Sequence, residues 1–374
     1  MDFSLSEEQQ LFRESTRRFL REQCHSKTLR ELESSDTGFS AALWNAMAAQ
    51  GWTGIIVPER HGGSGLGFLD LGVLLEEIGG AAFDSPFSAN LMATLAILGS
   101  GDGPRTQRLL SAIADGSVII SPAIEELGVS YEPRFVAARA ERSADGFMLS
   151  GRKMFVPYAD VADHLLVLAR TEGAIGDEAG CNLLLVDRRL PGIGMTRLET
   201  IAPDRQFRVD FDRVRVAGDA VLGFEGGALR LLLDVHRQCT ALTCAEMLGG
   251  AEHQLAVTAA YVKQRVQFDR PLGSFQAVHH HLADMYTLVQ ASRWTTYQAI
   301  DQLQRNRPAA REVAIAKAVS SDACQRVAAL AQQLHGGVGV DVANDLQFYF
   351  RRAKAMELRF GPAPVQLRRL GEQL

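Results

Sequence analysis

One short stretch, RVQFDRPLGSFQ from Arg265 to Gln276, combines residue types that can bind a flat ligand carrying phosphate. Arg265 ends a long segment of helical apolar periodicity, Phe268 follows three residues later, and Gln276 opens the next such segment. A guanidinium binds phosphate through paired hydrogen bonds, and an aromatic ring can lie against a base or a sugar. The stretch is therefore a candidate contact for a dinucleotide-like cofactor; the alternative is a polar turn between two helices.

A second stretch, QQLHGGVGV from Gln332 to Val340, ends another helical segment. Gly336 and Gly337 have no Cβ atom, which lets the backbone approach a ligand closely. Gln333 supplies an amide just before them. Two such elements, one on each side of a helix pair, favour the cofactor interpretation over the polar turn.

Three other stretches suggest chemistry, but their spacing predicts structural roles. PERHGGSGLGF, residues 58–68, has neither GxGxxG nor a P-loop lysine and is predicted to be a loop between helices. The histidines 279–281 are consecutive, so on a helix they point about 100° apart and do not close on one metal ion. Cys239 and Cys244 share a helical segment with no histidine at metal-ligand spacing, which favours apolar packing.

The bulk composition is that of an ordinary globular chain and excludes some partners. With 39 basic and 44 acidic residues, the net charge of −5 offers no basic field for nucleic acid or anionic lipid. The five cysteines form no CxxC pair, which favours a reducing compartment. The amino terminus lacks the pattern of a signal peptide, and no apolar run is long enough to span a membrane. We expect a cytoplasmic protein with no membrane segment.

The apolar periodicity changes twice along the 374 residues, which predicts a mainly α fold with a central β-domain. Residues 1–116 have helical periodicity, and Ser6 with Gln9 has the form of a capping box. Residues 117–222 contain short runs rich in β-branched residues, separated by turn dipeptides. Residues 223–374 return to helical periodicity, with segments long enough for an antiparallel bundle: 229–263, 276–304 and 309–334.

These motifs together resemble the acyl-CoA dehydrogenase family of flavoproteins over almost the whole chain. The resemblance rests on LSEEQQLFRESTRRFL, VPERHGGSGLGFLDLGVLLEEIG, GFMLSGRKMFV, YVKQRVQFDRPLGSFQAVHHHLADM, QQLHGGVGV and YFRRAKAMELRFG. It implies a helical domain, a β-barrel-like domain and a four-helix bundle in that order, which agrees with the periodicity.

The resemblance also implies a cofactor and a reaction. Arg265, Phe268 and Gln276, with Gln333, Gly336 and Gly337, would contact the pyrophosphate and adenosine half of an FAD bound to a neighbouring subunit of a tetramer. The implied reaction is α,β-dehydrogenation of an acyl-CoA thioester, in which a carboxylate takes the α-proton and FAD accepts the hydride. An electron-transfer flavoprotein would accept the electrons.

The sequence departs from the family at the catalytic base. Members usually have a glutamate just before the glycine that follows RxAK, and Phe360 stands at that position. A positioned base contributes about 10²–10⁴-fold, so its loss matters. Some relatives carry the base on the first long helix of the bundle, where this chain has His236 beside Arg237. His236 is the remaining candidate base, although the adjacent guanidinium is expected to keep it neutral and weakly basic; a packing role is the alternative.

The flavin-facing part of the β-domain departs as well. The family's Thr-Glu-Pro and Gly-Ser-Asp loop falls in residues 123–133, where only Glu126 agrees. Pro157 replaces a threonine that hydrogen-bonds the flavin, and proline has neither a hydroxyl nor an N–H. Asp269 replaces a small residue after Phe268, which puts local geometry in doubt.

The residue types that would contact the flavin are lost, whereas those that would contact the adenosine half are retained. This difference predicts a subunit of a heteromer. The pattern resembles the non-catalytic subunit of heterotetrameric bacterial acyl-CoA dehydrogenases of sterol side-chain breakdown. Two alternatives remain open: a self-sufficient homo-oligomeric enzyme that uses His236, and a flavin-free binding or scaffold homologue. Short-chain, branched and steroid thioesters are all open as substrates.

Overall fold

The computed structural model of this chain describes residues 5–128 and 131–372. The amino-terminal part is helical and begins with the predicted capping box, in which the Ser6 hydroxyl accepts from the Gln9 N–H and the Gln9 amide accepts from the Ser6 N–H, each at 3.2 Å. The helices are α1 (Glu7–Gln23), α2 (Ser26–Ser34), α3 (Ala41–Ala49), α4 (Phe68–Gly80), α5 (Phe87–Gly99) and α6 (Pro104–Ala114).

A mostly antiparallel sheet follows, in the order β6-β7-β3-β2-β4-β5-β8, with β1 parallel to β4. Strands β3 and β7 are the longest, and their pairing has a bulge between Lys153 and Val156. The strands are β1 (Ile120–Ala123), β2 (Arg139–Ser143), β3 (Gly146–Pro157), β4 (His164–Arg170), β5 (Cys181–Asp187), β6 (Ile193–Leu198), β7 (Gln206–Ala217) and β8 (Val221–Leu222).

The carboxy-terminal part is a helical bundle, and its three long helices agree with the predicted segments to within one residue at each end. A short hairpin connects the first two. The elements are α7 (Ala228–Gln264), β9 (Val266–Gln267), β10 (Arg270–Pro271), α8 (Gln276–Gln304), α9 (Ala310–His335), α10 (Gly337–Val340), α11 (Leu346–Leu358) and α12 (Ala363–Gly371). The sequence boundaries after residues 116 and 222 stay predictions.

Helix α7 crosses α4 at a backbone contact that only glycine permits. A Cβ atom on Gly79 would lie 1.9 Å from the carbonyl oxygen of Glu246, and one on Gly249 would lie 1.8 Å from the carbonyl oxygen of Glu76. Real Cβ atoms do not approach that closely, so the crossing requires both glycines. It fixes the first long helix of the bundle against the amino-terminal helices.

Buried carboxylates next to this crossing bind cations from other helices. Glu76 accepts from Arg293 at 2.9 Å and from Arg13 at 3.3 Å, and Tyr297 donates to it as well. Buried charges are tolerated when they are paired and hydrogen-bonded in this way. No helix in the described parts of the chain is long and apolar enough to cross a membrane.

Gly79→Ala is expected to destabilise the chain by about 1–3 kcal/mol, because the new Cβ overlaps a backbone carbonyl that has no rotamer to change. Its neighbour Gly80 is a matched control. A Cβ there would lie 3.6 Å from the Gly249 carbonyl oxygen, so Gly80→Ala should be neutral or stabilising by roughly 0.5–1 kcal/mol. Urea denaturation of both variants measures the contrast, and equal stabilities would refute the backbone contact.

Candidate functional site

The predicted cofactor-binding residues of both sequence stretches lie at one end of the bundle. Helices α7 and α9 end there and α8 begins there, so Arg265, Gln276 and Gln333 occupy neighbouring helix termini. The rings of Tyr261 and His335 stack with centroids 4.3 Å apart and join the ends of α7 and α9. The fold thus brings together residues that are up to 72 positions apart: Arg265, Phe268, Gln276, Gln333, Gly336 and Gly337.

The hairpin β9–β10 turns through Phe268 and Asp269, and both have positive φ, 54° and 61°. Positive φ at both central residues defines a type I′ turn, in which Asp and Asn are tolerated and glycine is favoured. The departure at Asp269 is therefore accommodated, since a carboxylate side chain fits the same turn as the usual small residue.

Aromatic and cationic groups are stacked on the hairpin. The guanidinium of Arg270 lies 3.9 Å from the centroid of the Phe275 ring, and Phe268 meets that ring edge-on at 6.1 Å. The side chain of Phe268 is nevertheless 85% exposed. A large ring held out in solvent by a tight turn is suited to cover a ligand or another protein.

Gly336 and Gly337 border open space at the end of α9. Gly336 has φ of 60° and ψ of −140°, and no atom lies within 4 Å of a Cβ added to either glycine. The side chains of Arg265, Gln276 and Gln333 are exposed and have no hydrogen-bond or ion-pair partner within residues 5–128 and 131–372. A free guanidinium, two free amides and an open glycine backbone fit the phosphates and polar edges of a dinucleotide such as FAD.

A second corner, at the other end of α7, holds both positions where a catalytic base was sought. The Phe360 and His236 rings meet edge to face with centroids 5.3 Å apart. Phe360 lies in the turn after α11 with φ of 60°. Positions 360 and 236, the two places where the family resemblance suggested a base, are therefore adjacent in the fold. Two aromatic rings occupy them.

His236 is a neutral imidazole in this corner. Burial, together with the nearby Arg369 guanidinium, lowers its pKa from 6.5 to about 4. Its Nε2 is buried and has no hydrogen-bond partner in the described structure. The expected cause, the adjacent Arg237, was wrong: that guanidinium pairs with Asp234 on the exposed face of α7.

Helix α12 holds this corner closed. The buried side chain of Gln366 donates to the carbonyl oxygens of Phe360 and Gly361, at 2.8 and 3.0 Å. Arg369 donates to the Phe360 carbonyl at 3.5 Å and to the Tyr131 carbonyl at 2.8 Å, which ties the segment 123–133 to the bundle. No pattern in the sequence pointed to Arg369, because its role depends on where α12 packs.

Glu126 and Pro157, which the family resemblance places on the flavin side, are hydrogen-bonded within the chain. Glu126 accepts from Lys153 Nζ at 2.6 Å and from the backbone N–H groups of Ala137 and Ala138 at 2.8 and 3.1 Å. Lys153 is fully buried. Pro157 ends β3, and its carbonyl accepts from the Ser121 hydroxyl. Glu126, the residue that agrees with the family loop, is thus committed to Lys153.

Glu125 is a carboxylate of this segment that sequence reasoning missed. It is largely enclosed, and burial raises its pKa, while Lys153 and Arg369 act in the opposite direction. Its backbone carbonyl accepts from the Met154 N–H at 2.9 Å. Glu125 and Glu126 are adjacent glutamates, and the sequence does not show which of them pairs with Lys153. The fold directs the side chain of Glu126 to Lys153.

The two ends of α7 are too far apart to serve one cofactor. His236 and Arg265 are 29 residues apart on this helix, which is about 44 Å at 1.5 Å per residue. That exceeds the length of an extended dinucleotide. One dinucleotide therefore cannot contact both ends of α7.

Comparison with known proteins agrees with this architecture. Residues 6–117, 123–214 and 230–374 match the N-terminal, middle and C-terminal domains of acyl-CoA dehydrogenases. The acyl-CoA dehydrogenase FadE27 of Mycobacterium tuberculosis is 32% identical over 362 residues, with 94% of this chain and 92% of FadE27 covered. The chain belongs to the acyl-CoA dehydrogenase family. The family consists of FAD-dependent oxidoreductases, so the expected cofactor class is confirmed.

Solved structures give the same result. A structure of a steroid ACAD variant, Tcur3481-Tcur3483, is 35% identical with a TM-score of 0.88, covering 99% of this chain and 98% of that one. The ChsE4-ChsE5 complex of Mycobacterium tuberculosis is 30% identical with a TM-score of 0.90, covering 100% and 98%. The predicted order of helical, sheet and helical parts is confirmed.

The lowered pKa of His236 predicts a pH dependence of stability. Between pH 6.5 and 4 the unfolded chain binds a proton at this histidine that the folded chain does not, so stability is lost as pH falls through that window. The stability advantage over His236→Leu should shrink by up to about 3 kcal/mol from pH 7 to pH 4. Urea denaturation at both pH values tests this, and a His236 NMR resonance that titrates near 6.5 would contradict it.

Proposed function

We propose that this chain is the partner subunit of a heteromeric FAD-dependent acyl-CoA dehydrogenase and supplies only one wall of its active FAD site. The observation that carries the proposal is the contact of Phe360 with His236, which fills the base corner with an aromatic pair. The internal pairing of Glu126 with Lys153 supports it from the flavin side. The open bundle end supports it from the adenosine side.

In this proposal the bundle end binds the adenosine and pyrophosphate half of an FAD whose flavin ring lies on the partner's β-domain. Arg265 would bind phosphate, Gln276 and Gln333 would orient the nucleotide through their amides, and Phe268 would cover it. Gly336 and Gly337 leave the space that the cofactor needs. When bound, FAD supplies the hydride acceptor of the reaction.

The catalytic base then comes from the partner. An efficient base has a pKa near the working pH, whereas His236 is near 4 and is enclosed by Phe360. A missing base costs about 10²–10⁴-fold, roughly 3–5 kcal/mol of barrier, which a working enzyme must recover from another subunit. His236 is assigned a packing role here, and a self-sufficient enzyme that uses it is the alternative.

The heteromer is also supported by the two similar structures, which are named for pairs of chains, ChsE4-ChsE5 and Tcur3481-Tcur3483. We extend the proposal to a heterotetramer with an acyl-CoA substrate and an electron-transfer flavoprotein as acceptor, as the family implies. The five buried free thiols are consistent with a cytoplasmic location. A flavin-free scaffold has no physical need for the unpaired donors at the bundle end.

The first experiment is an absorbance spectrum of the chain purified alone and after co-expression with a homologous subunit from the same genome that has a carboxylate at the position of Phe360. We expect a colourless lone chain and a yellow pair that is bleached by an acyl-CoA. A yellow, active lone chain would refute the proposal, and a pair without flavin would favour the scaffold.

Arg265→Met should weaken FAD retention in the pair about 10- to 100-fold, because a hydrogen bond from a charged donor contributes about 1.5–3 kcal/mol. Arg311→Met is a matched control, since Arg311 is also exposed but lies at the other end of α9. Fluorescence titration of the apo pair with FAD measures both. Equal affinities would exclude Arg265 from the cofactor site.

His236→Ala in the yellow pair should leave the rate of flavin bleaching by acyl-CoA within about threefold, because the base is expected on the partner. A loss of 10²-fold or more would assign the base to His236 and restore the self-sufficient alternative. Replacement of the partner's carboxylate by glutamine is the positive control.

A further inference from the structure

The tip of hairpin β9–β10 carries a charge that this chain leaves unpaired. Asp269 is exposed and has no hydrogen-bond or ion-pair partner in the described ranges. Arg270 follows it directly, yet its guanidinium lies over the Phe275 ring. The type I′ turn therefore holds the carboxylate outward, away from the cation nearest in sequence.

The charge stands within an exposed apolar surface. Phe268 and Val266 are 85% and 51% exposed, and both flank it on the hairpin. At the same end of the bundle, in and just after α10, three more apolar side chains are exposed: Val338, Val340 and Val342. Exposed apolar residues around an outward charge are typical of a surface that docks on another protein.

We infer that Asp269 selects the partner: the hairpin docks on the β-domain of a homologous subunit that places a lysine or arginine opposite this carboxylate. The inference rests on the proposed function, in which the hairpin lies at the subunit boundary beside FAD. A carboxylate enclosed next to the cofactor's phosphates without a cation is costly, so a subunit that lacks the cation is rejected.

A second copy of this chain has no unpaired cation against the described residues of the segment that would face the hairpin. By the family resemblance, the segment that shares FAD with a neighbour's bundle end is 123–133. The cations that contact this segment in the described structure are all engaged: Lys153 with Glu126, Arg134 with Glu132, and Arg369 with the carbonyls of Tyr131 and Phe360. Self-pairing would therefore leave Asp269 unpaired, which favours a different subunit.

The test compares the wild-type chain with Asp269→Asn and Asp269→Lys in the FAD-loaded pair with the homologous subunit. Asparagine keeps the type I′ turn and removes only the charge. Subunit dissociation constants come from sedimentation at low and high salt. We expect about tenfold weaker association for Asp269→Lys, a smaller loss for Asp269→Asn, and a shallower salt dependence for both.

Asp284→Asn is the control, because Asp284 is exposed on α8 and carries the same charge away from the hairpin tip. Unchanged association of both Asp269 variants with the subunit overturns the inference and leaves the proposed function intact. A wild-type chain that forms no heteromer overturns the proposed function and the inference together. Reversal of the partner's cation to glutamate should restore association with Asp269→Lys.

Discussion

The contact of α4 with α7 at Gly79 and Gly249 is the constraint on which the rest of the structure depends. It lets two helix backbones touch, and buried carboxylates on either side of it collect cations from α1, α8 and α11. Helix α7 is thereby fixed along its length. Because this helix carries His236 near one end and Arg265 at the other, the two groups are held far apart and cannot contact one cofactor.

The two ends of α7 differ in how their polar groups are satisfied. In the closed corner Glu126, Arg369 and Gln366 bind partners within the chain, whereas at the open end Arg265 and Gln333 bind none among the described residues. A polar group that loses its ligand and stays buried costs about 1–3 kcal/mol unless a new partner replaces it. His236 Nε2 is a buried atom of the corner that has no partner in the described structure, so the pairing of the corner is incomplete. The open end differs in that its donors without a described partner are exposed, where a ligand can reach them.

Local signals in the sequence predicted the elements well, and tertiary placement explains what they missed. Apolar periodicity and the Ser6 capping box gave the helix bounds, and turn dipeptides separated the strands. Asp269 was expected to put local geometry in doubt, but aspartate suits the positive φ of the type I′ turn in which it lies. The role of Arg369 was not readable, since it arises from the packing of α12 against Phe360 and Tyr131. Because Arg237 is adjacent to His236 in sequence, it was expected to be the cation that keeps the imidazole neutral. On a helix, however, adjacent side chains point to different faces.

The backbone of the turn at Phe360, where the family resemblance implies a glutamate, is held by residues other than Phe360 itself. Lys317 donates to the carbonyls of Met356 and Glu357 at the end of α11, and Gln366 binds the turn itself, so the backbone at residue 360 is set by other residues. A bulky residue at φ of 60° costs about 1–3 kcal/mol. Phe360 is partly buried, so its ring gains part of the about 1.5–3 kcal/mol of full burial, and its edge-on contact with His236 adds roughly 0.5–1.5 kcal/mol. The packing and strain terms are of similar size, so the fold tolerates phenylalanine at a position where the resemblance implies a carboxylate.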